Sequence, residues 1–123
     1  MTSDQPWPPR NATDEIRALA NDDEMSLILR RHAKERMLER DLIMSDLLHV
    51  LKHGFVYASA SDSTQEGQYK YAIENNALNG DGRNLRVIVV PVIKDKFLNI
   101  VSFMWVDEKQ TRAGTVLGEY EDE

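Results

Sequence analysis

The chain contains no cysteine, so it has neither a disulfide framework nor a thiolate metal site. It has no long apolar run either. The longest, residues 87–93, is too short to cross a membrane. Residues 1–10 are polar and proline-rich and lack the apolar centre of a signal peptide. These absences lead to the expectation of a soluble, cytoplasmic protein with no membrane partner. Basic charge is also scarce: 15 Lys and Arg face 21 Asp and Glu, for a net charge of -6. Such a balance argues at first against a nucleic-acid partner.

The distribution of charge weakens that objection. Residues 1–24 carry two basic and six acidic side chains, and residues 117–123 carry four acidic ones. The middle, 25–116, holds 13 basic and 11 acidic residues, an excess of +2. The acidity lives at the ends, where it is a solubilising feature or a shield over a basic surface.

What is present is concentrated in residues 31–40, Arg-His-Ala-Lys-Glu-Arg-Met-Leu-Glu-Arg. On a helix, residues four apart lie nearly above one another, so His32, Arg36 and Arg40 share a face. Ala33 and Met37 form a neighbouring apolar stripe, with Val50 and Leu51 as partners. An imidazole moves a proton near neutral pH, and a guanidinium forks onto phosphate oxygens without losing its charge. That combination suits phosphodiester chemistry. The competing reading is a solvated amphipathic helix whose arginines pair with Glu39 and Asp41.

With 123 residues the chain is long enough for one domain with a modest core. The spacing divides it into an arm over 1–12, a single domain over 13–116 and an acidic tail over 117–123. Pro6, Pro8 and Pro9 make the arm extended, with Trp7 either docked on the body or loose. Thr13 is a candidate N-cap for a helix over 13–22. Residues 25–30 predict a short strand that leads into the His32 helix. A further helix begins near Ser45 and closes at Gly54 as a C′ glycine. His49 and His53 on it have metal-ligand spacing, but no third ligand is nearby, so no metal or cofactor is expected. Residues 55–58, 68–74, 85–92 and 97–106 predict strands, with polar loops at 59–67 and 75–82. Three consecutive strands favour an antiparallel meander. The expected class is α+β, an antiparallel sheet of four to five strands packed by two central helices, with an extra N-terminal helix.

The stretch from His32 to Arg40, the turn Ile43-Met44-Ser45-Asp46 and the run Val50-Leu51-Lys52-His53-Gly54 resemble the opening of the uncharacterised DUF4258 family. The family pattern continues through Tyr69-Lys70-Tyr71, the Arg83 to Val90 strand and Leu98 to Phe103. Ser102 departs from the threonine usual in the last strand. The resemblance implies kinship with RelE/ParE-type ribonuclease toxins, a RelE-like fold and a neighbouring antitoxin. It covers about residues 25–106.

Metal-free RNA cleavage needs a base for the 2′-OH, an acid for the leaving 5′ oxygen and cations for the phosphorane. His32 is the candidate base or acid, and Arg36 and Arg40 are the phosphate holders. Lys70, Tyr71 and Arg86 from the sheet are candidates for the second proton transfer and for further charge, provided residues 70 and 86 face the helix. Arg31, Lys34 and Arg83 are candidate RNA contacts. Tyr71 reads equally as core, and Ser102 as a buried hydroxyl. Two functions follow: an endoribonuclease-like toxin component acting on RNA, or a non-catalytic interaction protein of the same fold that binds a protein or nucleic acid. Oligomeric state is not legible. An exposed edge strand at 55–58 or 97–106 would favour the second reading.

Overall fold

The computed structural model describes residues 5–65, 67–76 and 83–106. It is a mixed α+β structure of three helices and a six-stranded sheet. The elements are α1 (Pro9–Ala20), β1 (Ser26–Leu29), α2 (Arg31–Glu39), α3 (Met44–His53), β2 (Phe55–Val56), β3 (Ser61–Asp62), β4 (Tyr69–Asn76), β5 (Asn84–Val92) and β6 (Phe97–Trp105). Of the loop expected over 75–82, residues 75 and 76 belong to β4 and the rest lies outside the described residues, as does the acidic tail.

The sheet order is β1-β6-β5-β4-β2, with β3 paired to β4. The strands β4, β5 and β6 form the expected antiparallel meander. The sheet is not wholly antiparallel, because β1 runs parallel to β6, from Ser26 opposite Phe97 to Leu29 opposite Ile100. Two α-helices and four strands separate these neighbours in sequence, so no hairpin constrains their direction. The 59–67 loop also holds a short strand, β3, whose polar exposed residues give no apolar alternation to read.

The helices correct several cap assignments. α1 begins at Pro9, whose missing N–H is harmless in a first turn. Thr13 is therefore inside the helix, and its hydroxyl donates to the Pro9 carbonyl and accepts the Val56 amide. Ser45 is likewise inside α3; Asp46 caps that helix by accepting the Ile43 amide at 3.1 Å. Gly54 ends α3 in an extended conformation, φ -83°, not a left-handed one. Its lack of a Cβ serves a close approach: a Cβ there would lie 2.5 Å from the Val50 carbonyl oxygen and 2.8 Å from that of Glu74.

Strand alternation gives the sheet two apolar faces. On the first, Tyr71, Ile73, Leu85, Val87, Val89, Leu98, Ile100 and Phe103 meet Ile16 and Leu19 of α1, Ala33 of α2 and Leu47, Val50 and Leu51 of α3. Trp7 completes this core. Its ring stacks on Tyr71 with centroids 5.3 Å apart, and its amide donates to the Tyr71 hydroxyl at 2.9 Å. The second face holds a smaller cluster of Ile88, Val90 and Val101 against Ala72. Among the described residues, no helical side chain joins it. Between Ile88 and Val89 the pairing slips, from Ser102 to Ile100, so Val101 is an extra residue in β6.

Candidate nucleic-acid interface

His32, Arg36 and Arg40 arise as the spacing requires. α2 spans Arg31 to Glu39, and Arg40 is its C-cap. Ala33 is buried and Met37 packs against the same core, which turns the three-residue row along the flank of that contact; all three are half-buried. Arg30, Arg31 and Lys34 are exposed. The first turn of α2 contains no acidic side chain, and Arg31 reaches only as far as Glu35, at 4.0 Å and in the open. Cations at a helix N-terminus oppose the macrodipole, so the fold itself gives no reason to gather them here. Part of the competing reading also holds: Arg40 Nη1 meets Glu39 Oε1 at 3.2 Å.

The sheet residues do not join this row. Tyr71 is buried in the first core, where its hydroxyl accepts from Trp7 and donates to Gln5. Burial pushes the Tyr71 phenol above its ordinary value, against the opposing pull of the Trp7 amide. Lys70 and Arg86 alternate with core residues and belong to the second face, away from the face α2 covers. The sequence shows that Lys70 and Arg86 share a parity with non-core positions, but only pairing and helix placement reveal that α2 lies on the opposite side. Arg83 is exposed at the start of β5, with its guanidinium 4.2 Å from the centre of the Trp105 ring.

The second face sets the nominated Arg86 beside residues that sequence reasoning did not nominate. Register places Phe55, Glu74, Arg86 and Met104 side by side across β2, β4, β5 and β6. Arg86 Nε donates to Glu74 Oε2 at 2.8 Å, with the two side chains 26% and 17% exposed. Phe55 stacks on Tyr57 with centroids 6.1 Å apart, and the Arg17 guanidinium lies 4.5 Å from the Phe55 ring centre. The signal available beforehand was the parity of Lys70 and Glu74 against Tyr71 and Ile73.

Other candidate features are simpler. The His49 and His53 rings lie 5.1 Å apart, but among the described residues no group of three or more His, Asp or Glu is placed to hold a metal ion. A polar concavity of about 350 Å³ beside β3 is lined by Asp62, Thr64, Gln65, Gln68 and Tyr69 and contains none of the nominated residues. No described helix is long and apolar enough to cross a membrane. The expected edge at 55–58 shrinks to Phe55–Val56, and its outer side is engaged by α1: Thr13 takes the Val56 amide and Arg17 donates to the Gly54 carbonyl. β6 lies inside the sheet.

Comparison with known proteins gives one match. Residues 29–102, more than half of the chain, match the family described as Domain of unknown function (DUF4258). No curated protein and no solved structure matches the chain.

Proposed function

Because the chain belongs to the DUF4258 family, we propose that it is an RNA-acting protein of the ribonuclease-toxin type, RelE-like in its chemistry and partnered by an antitoxin. The observation that carries this reading is the α2 row, an imidazole and two guanidinium groups on one flank, with Arg31 and Lys34 exposed beside it. Arg36 and Arg40 hold the scissile phosphate, and Arg31 and Lys34 extend the grip to neighbouring phosphates. His32 in its neutral form takes the 2′-OH proton. The 2′ oxygen then bonds to phosphorus as the bond to the 5′ oxygen breaks, leaving a 2′,3′-cyclic phosphate. Water supplies the proton to the departing 5′ oxygen, since Lys70, Tyr71 and Arg86 are not on this flank.

The test is cleavage of RNA by purified protein without added metal. Loss of about 10²-fold or more in His32→Ala is expected for removal of a general base. Equal rates in the two proteins would remove His32 from the mechanism.

The second reading, a non-catalytic interaction protein, is favoured by two observations. Arg40 is already engaged with Glu39, and only one proton-transferring side chain of the nominated set stands on α2. Growth arrest on overexpression favours the toxin; normal growth, with salt-sensitive RNA binding and no cleavage, favours the binder.

A further inference from the structure

We infer that the helix-free face of the sheet, at its β2 end, is a platform for an unpaired RNA base, with Phe55 and Tyr57 as the stacking surface and Arg17, Arg86 and Lys70 as the flanking cations. This rests on the RNA-acting reading and adds to it a second place where the strand is held.

Phe55 and Tyr57 are 46% and 67% exposed, although each carries a large apolar ring. The two rings are stacked at an interplanar angle of 30° and Arg17 lies over Phe55, so Tyr57, the more exposed ring, is the open member of the stack. Burying them against the first core is impossible, because Val56 between them points there. Arg17 is fixed over Phe55 by its own hydrogen bonds, Nε to the Gly54 carbonyl at 2.9 Å and Nη2 to the His53 carbonyl at 3.0 Å. The aromatic surface thus comes with a cation already oriented and no further side-chain ordering to undergo on binding.

The row continues inward. Glu74 sits opposite Phe55 in the β2–β4 ladder, and Arg86 sits opposite Glu74. Glu74 holds Arg86 by its Nε, and Met104 Sδ lies 3.8 Å from Nη1. Lys70 lies on the same face four residues from Glu74 along β4, beyond Ala72. Ser102, opposite Ile88 on this face, is 2% exposed, and no hydrogen bond of its hydroxyl is made among the described residues.

The row of Arg17, Arg86, Lys70 and Glu74, interleaved with exposed aromatic rings, fits a nucleic acid better than an apolar peptide. The other exposed large apolar side chains are elsewhere: Ile28 on β1, at the far end of the sheet, and Leu38, Ile43 and Met44 around the turn between α2 and α3. Flat rings at an edge take a base only when its faces are not already stacked in a duplex, so the partner is single-stranded. The platform and α2 lie toward opposite ends of the sheet: α2 packs on β6, three strand spacings from β2, or about 14 Å. The two also lie on opposite faces, so a single strand held at both has to pass round an edge of the sheet.

The test uses a fluorescent 2′-O-methyl oligoribonucleotide, which lacks the nucleophile for cleavage, as a single strand and annealed to its complement. Tyr57→Ala is expected to weaken single-strand binding roughly tenfold or more, Tyr57→Phe to leave it nearly unchanged, and the duplex to bind less well than the single strand. Tyr57 is exposed, so its variants retain the fold; circular dichroism verifies this. Equal affinity of wild type and Tyr57→Ala, or a duplex that binds as well as the single strand, would overturn the platform. If that happens while Arg31→Ala with Lys34→Ala still weakens binding, the α2 reading survives alone. If Tyr57→Ala loses binding while wild type cleaves no RNA, the platform stands and the cleavage reading falls.

Discussion

Tyr71 shows how a polar atom can be tied into an apolar core. Its hydroxyl accepts the Trp7 amide and donates to Gln5 Oε1, while its ring supports Trp7. Tyr71→Phe would remove the hydroxyl that accepts the buried Trp7 amide, at a cost of about 1–3 kcal/mol measured by urea unfolding. The same residue sets an alkaline limit. Because burial raises its pKa in the folded state, the unfolded chain gives up this proton first. The unfolded state then binds fewer protons, so stability falls as pH rises past the ordinary tyrosine value of about 10. Unfolding midpoints taken from pH 8 upward should drop above that point in wild type and drop less in Tyr71→Phe. Glu74 is the second residue with such a consequence. It accepts a 2.8 Å charge-assisted bond from a guanidinium that is three-quarters covered. Glu74→Gln should lower stability by about 1–3 kcal/mol.

At the scale of elements, the contact between α3 and β4 is set by Gly54. Any side chain there meets main-chain oxygen on both sides, and a main chain cannot step aside as a side-chain tip can. Gly54→Ala should therefore cost about 1–3 kcal/mol by forcing α3 and β4 apart, seen as a lower chemical-denaturation midpoint with a near-native helical spectrum. α1 has a comparable role at the sheet edge. Thr13 and Arg17 occupy the hydrogen-bonding side of the chain at Gly54 and Val56, which would otherwise be open to a further strand. Thr13→Val keeps the shape but removes the acceptor for the Val56 amide, and a loss of about 1–3 kcal/mol is expected.

For the whole molecule, the family domain and the folded unit differ in extent. The family match begins at residue 29, yet Trp7, Ala12, Ile16, Leu19 and Ala20 belong to the same buried cluster as β4, β5 and β6. Trp7 is 2% exposed, so Trp7→Ala should remove about 3–5 kcal/mol, read as a large fall in thermal midpoint. The net charge of -6 also acts at this scale. A protein of that charge that holds RNA must do so through local clusters, and binding through phosphates weakens steeply between low and physiological salt.

The sequence determined the elements whose signals are local. The 3.6-residue spacing of Ala33 and Met37 against His32, Arg36 and Arg40 specified α2 and its two flanks, and the β-branched run from Val87 to Val90 specified a central strand. Alternation also separated Tyr71 and Ile73 from Lys70 and Glu74. Caps were less legible, because Thr13 and Ser45 are cap-type residues that occupy helix interiors. Only the tertiary structure decided which side of the sheet the helices cover, and so parted Lys70 and Arg86 from His32. It alone made β1 parallel to β6 and set Phe55, Glu74 and Arg86 in one row. The physical reason is that periodicity divides each element into faces without saying which faces meet. That choice depends on strand register and helix docking, which join residues tens of positions apart.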